Sequence, residues 1–141
     1  MKTAKILLTA FFLTLFSCSE DDDILLNKSV DKDAYALLVG HWELGNNNEC
    51  HFSNKGKFSY YYKEDGKTKE EVGKIISASM IWGEHNEAKG VNARVQPDWN
   101  DTGIDSYNYL FYINLDYPDD LFATIKAVTL IYHRIKEQST E

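Results

Sequence analysis

The chain has 141 residues, enough for one domain with a proper core, and 43% of them are apolar and 13% aromatic, too rich in both for disorder. Its net charge of −7 and lack of a basic stripe argue against nucleic acid and against docking on anionic head groups. Only two cysteines occur, Cys18 and Cys50, so no disulfide framework is expected.

The first element in chain order is a secretory leader. Lys2 and Lys5 make a short basic start, and Ile6 to Phe16 follows as an apolar run. That run is too short to span a bilayer as a helix, which needs about 20 residues. Leu15-Phe16-Ser17-Cys18 resembles a lipobox, with leucine at −3, a small residue at −1 and cysteine at +1; Phe16 is bulkier than the usual −2 residue. The expectation is a signal peptide over residues 1–17, removed before Cys18, whose thiol then carries lipid such as palmitate. Several acyl chains on one residue anchor strongly, so the membrane is reached without a transmembrane helix. Residues 18–30 read as a tether. Its Glu20-Asp21-Asp22-Asp23 stays extended by self-repulsion. Serine and then acids after the cysteine also resemble the surface-export signals of certain Gram-negative lipoproteins. That resemblance implies an outer-membrane location with outward display, against the periplasmic face.

Residues 31–39 are expected to form one short helix, with Ala34, Leu37 and Leu38 on one face, Ser29 or Asp31 as its cap and Gly40 at its end. From Gly40 onward a period of two dominates. Trp42 and Leu44 alternate with His41 and Glu43. Residues 49–53 and 56–63 make a hairpin across Asn54-Lys55-Gly56, with Phe52, Phe58, Tyr60 and Tyr62 in alternation. Asp65-Gly66 is a second turn, and residues 68–71 are a polar stretch. Ile76, Ala78, Met80 and Trp82 mark the next strand; Val91, Ala93 and Val95 mark another. Residues 97–105 form a loop. Tyr107, Tyr109, Phe111 and Ile113 share one face of the following strand. Tyr117-Pro118-Asp119-Asp120 turns the chain into two last strands, 121–126 and 128–135, with Val128, Leu130 and Tyr132 on one face. Residues 137–141 are a tail. The expected fold is all-β: a small antiparallel up-and-down barrel of about eight strands over residues 31–136, with one short N-terminal helix.

Leu38-Val39-Gly40-His41-Trp42-Glu43-Leu44 resembles the opening of lipocalin-like domains, many of which are carried on bacterial lipoproteins. Residues 50–58 resemble their first hairpin, and Leu130-Ile131-Tyr132-His133-Arg134-Ile135 resembles their closing strand. The likeness covers residues 37–136 and departs over 77–95. It implies a barrel that in some members binds small apolar molecules. Physically, Trp42 would plug one barrel end, Gly40 would allow close backbone approach, and Arg134 would lie over the Trp42 ring.

Candidate chemistry is sparse. His41, His51, His85 and His133 show no tight ligand pair, so no metal or cofactor is expected. Cys50 and His51 would face opposite ways on a strand, which leaves the thiol without a base. The acids Asp65, Glu70, Glu71, Asp119 and Asp120 fall in turns and polar runs and read as solvated. No catalytic pair emerges, and a non-enzymatic role is expected. The tyrosine excess reads either as core and sheet-surface packing or as an aromatic-lined cavity or stacking platform. Phe52, Phe58, Tyr60, Met80, Trp82, Tyr109, Phe111 and Leu130 would line such a cavity and take a small apolar or amphipathic ligand. The alternative is an interaction module that contacts a protein or glycan through an outer face around Tyr61, Tyr112 and Tyr117.

Overall fold

The computed structural model describes residues 27–45 and 47–136; the leader, Cys18 and the acidic tether up to residue 26, and the tail, lie outside the described residues. Strands β1 (Gly40–Glu43), β2 (Glu49–Phe52), β3 (Lys57–Glu64), β4 (Lys67–Trp82), β5 (Ala88–Pro97), β6 (Tyr109–Asn114), β7 (Asp120–Ile125) and β8 (Val128–Arg134) follow one helix, α1 (Lys32–Ala36). Each strand pairs antiparallel with the next, and β8 closes on β1 through Trp42↔Arg134 and Glu43↔His133. The fold is a closed up-and-down barrel of eight strands.

Turn chemistry sets the register. Asp65 (φ 55°) and Gly66 (φ 76°) make a two-residue turn whose twist matches that of its strands. It aligns Tyr62 with Lys69, Tyr60 with Glu71 and Phe58 with Gly73. The polar run after the turn is therefore strand. Its pairing partner is the aromatic β3, which supplies the burial that the run itself lacks. Gly73 faces inward opposite Pro97, and a Cβ there would stand 2.5 Å from the Gln96 carbonyl oxygen, so only glycine fits.

One extra residue at Ile76 breaks the alternation of β4. Ile75 is the buried residue before the bulge, and Ala78 the buried one after it. A second register shift separates Ile81 from Trp82, and Trp82 is 59% exposed. This corrects the expectation that Trp82 lines the interior: it stands at the far end of β4, beyond the shift.

Helix α1 is shorter than residues 31–39. Asp31 caps it, its Oδ1 accepting from the Asp33 and Ala34 amides at 2.8 and 3.1 Å. It stops early because the carbonyls that would follow are recruited elsewhere. Arg134 donates to Leu37 and Val39 oxygens at 2.7 and 3.1 Å, and the Trp42 indole donates to Leu38 at 2.9 Å. Residues 29–31 dock on β4, where Asp31 N donates to the Ala78 oxygen and Ala78 N to Ser29.

The core is an aromatic cluster. Phe52, Phe58 and Phe111 meet at centroid distances of 5.0–5.3 Å, and Tyr109 approaches Phe58 at 6.0 Å. Trp42, Cys50, Ile113 and Leu121 are fully buried with them. The lower barrel is thus filled by side chains.

Candidate functional site

The two barrel ends differ. The end that carries α1 is closed. Trp42 is buried there beneath the helix, and the Arg134 guanidinium lies 4.1 Å from its ring centroid. Gly40, at φ +130°, is in a conformation that side chains avoid, and a Cβ would meet the guanidinium at 3.4 Å. Gly40, Trp42 and Arg134 together form this cap.

The opposite end carries the β1–β2, β3–β4, β5–β6 and β7–β8 connections. The β7–β8 turn is again two residues, Lys126 (φ 53°) and Ala127 (φ 67°). Here the interior opens into a recess of about 300 Å³. Tyr60, Tyr62 and Glu64 of β3, Ala123 and Ile125 of β7, Val128, Leu130 and Tyr132 of β8, and Lys126 wall it. The aromatic rings of Tyr60 and Tyr62 stack at 4.9 Å. Leu130 is 41% exposed because it sits at the lip, while Tyr132 below it is buried and donates to Asn48 Oδ1 at 2.6 Å.

Of the eight side chains expected to line a cavity, the structure brings Tyr60 and Leu130 to this recess. Phe52, Phe58 and Phe111 are instead the packed floor, filling the volume they were expected to surround. Tyr109 is buried with its hydroxyl turned toward the mouth, Met80 packs at the margin of the core, and Trp82 is outside. The outer aromatic face is also divided. Tyr61 packs by His51 on the β2–β3 side, whereas Tyr112 packs by Phe122 on β6–β7, beside a 540 Å³ groove on the outer surface.

Glu71 is the residue whose place the sequence misled. Far from being solvated, its side chain is 12% exposed and points inward at the mouth. It accepts from the Tyr109 hydroxyl, from Trp99 Nε1 at 2.8 Å and from Lys126 Nζ at 2.7 Å. The signal was present: the two-residue turn at Asp65-Gly66 places Glu71 opposite inward-facing Tyr60. Trp99 is carried by the 98–108 loop, which buried Asn100 braces through bonds to Ile104 and Asn108.

Burial pushes the Glu71 carboxyl up, but hydrogen bonds from Lys126, Tyr109, Trp99 and Tyr62 outweigh it and hold it below its ordinary value of 4.5. A depressed folded-state value means the ionised form stabilises the fold. That contribution is complete above pH 4.5 and is lost as pH falls through the folded value. Glu71→Gln is therefore expected to cost about 1–2 kcal/mol at pH 7. The cost should shrink toward pH 3, read from urea unfolding midpoints of both proteins across that range.

Cys50 is buried and inward while His51 faces out against Glu49 at 2.9 Å; burial pushes the Cys50 thiol far up. Among the described residues no three potential metal ligands cluster. No family model, curated protein or solved structure matches the chain.

Proposed function

We propose that the protein is a lipocalin-like lipoprotein of the outer membrane, anchored through lipid on Cys18 and displayed outward. In this reading it is not an enzyme, and its barrel takes a small apolar or amphipathic ligand at the open mouth. The observation that carries the ligand part is the recess itself. Apolar side chains from β7 and β8 face two stacked tyrosines of β3 across about 300 Å³, the lower end of the range for small-molecule sites. Burial of apolar ligand area there contributes about 25 cal/mol per Å². The packed floor limits the ligand to the mouth and therefore to a small size.

The test is titration with the neutral fluorophore N-phenyl-1-naphthylamine. Binding is expected, and Leu130→Asp should weaken it at least about tenfold by placing a charge at the apolar lip. Leu130 is half-exposed, so the variant should keep its fold. Equal binding by the two proteins would refute the mouth as the site.

A further inference from the structure

The mouth holds an unequal ion pair. Glu71 has a side chain only 12% exposed, while that of Lys126 is 54% exposed. Lys126 stands on a two-residue turn with a flexible stem, so its head can swing into water. Glu71 cannot follow. With Lys126 gone it would keep its neutral donors, Tyr109, Trp99 and Tyr62, but lose its countercharge. A shielded carboxylate without a countercharge is unfavourable, so the position retains a demand for a cation.

The surroundings suit an ammonium group. The Lys126 ammonium lies 5.5 Å from the Tyr62 ring centroid, and Tyr60 stacks on that ring. On the other side of the recess stand Ile125, Val128 and Leu130, which offer an apolar wall. A carboxylate ligand would meet Glu71 and gain little from a Lys126 already engaged. A neutral ligand would leave the charged position unused.

We infer that the mouth recognises a small protonated primary amine bearing an apolar body, whose ammonium replaces that of Lys126 on Glu71 while the body lies against Leu130. Lys126 is then a built-in competitor that fills the site when no ligand is present. The inference rests on the mouth being the ligand site, and its test separates the two.

The experiment is calorimetric titration of the full chain at pH 7 with n-hexylammonium chloride, 1-hexanol and sodium hexanoate. Hexylammonium should bind about tenfold or more tighter than hexanol, and hexanoate weakest. Glu71→Gln should remove the preference for hexylammonium over hexanol. Lys126→Met, on an exposed turn, should tighten hexylammonium by about three- to tenfold by removing the competitor. Near-ultraviolet circular dichroism establishes that each variant is folded, and either variant alone decides. Equal affinities for hexylammonium and hexanol, or a Lys126→Met protein that binds hexylammonium no tighter, overturns the ammonium inference and leaves the mouth reading standing. Failure of all three probes overturns both.

Discussion

Trp42→Ala should cost about 3–5 kcal/mol, the upper range for a buried aromatic truncation and a large share of the roughly 5–15 kcal/mol available to a domain. Three losses coincide. The indole is fully buried, and its removal leaves a void under α1. Its Nε1 bond to Leu38 disappears, orphaning a carbonyl just past the helix. Arg134 loses the ring beneath its guanidinium, although its bonds to Leu37 and Val39 can persist. Trp42→Phe separates these effects: it keeps most of the apolar volume and removes the N–H, and should cost about 1–2 kcal/mol. Urea unfolding with an unchanged slope would assign the difference to folded-state stability. An alanine variant within 1 kcal/mol of the parent would show that the barrel end does not depend on this plug.

The second large effect concerns the proposed anchor. Cys18→Ser should abolish incorporation of labelled palmitate and move the protein from the membrane pellet to the soluble fraction. The change should be nearly complete, because each buried methylene of an acyl chain contributes about 0.8 kcal/mol and no other part of the chain is proposed to hold the membrane. The barrel should melt unchanged, since among the described residues its packed core begins at Val30. A Cys18→Ser protein that still pellets with membranes would contradict lipid anchoring. In cells carrying the parent protein, added protease should reach the barrel without outer-membrane disruption if it faces outward.

Legibility in the sequence varied with the origin of each constraint. The β2–β3 hairpin and the last three strands were legible because each has one face in the core and alternates accordingly, with Gly56 and Pro118 marking turns. The barrel class and the cap of Trp42 and Arg134 followed from the same alternation and from the motif residues. The start of β4 was obscure because residues 67–72 carry almost no apolar signal. Their strand character comes from pairing with β3, a partner that local composition does not reveal. The bulge at Ile76 shifted the inward phase by one residue, and the later shift left Trp82 outside. Tyr107 belongs to a 3-10 turn, Asp105–Tyr107, because the Asn100-braced loop runs up to the start of β6. The alternation of Phe52, Phe58 and Phe111 showed correctly that they face in. It could not show that they meet and fill the floor, because that depends on how three non-adjacent strands converge across the barrel. The Glu71 cluster assembles from β4, β6, the β5–β6 loop and the β7–β8 turn, a convergence that only closure of the barrel creates.

A packed floor beneath an open, ligand-accepting mouth is checked by intermolecular nuclear Overhauser effects between hexanol methyl protons and the isotopically labelled protein. The expected contacts are to Tyr60, Tyr62, Ile125 and Leu130, with none to Phe52 or Phe111. Contacts to Tyr112 and Phe122 on the outer groove, with silence from Tyr60 and Leu130, would contradict it.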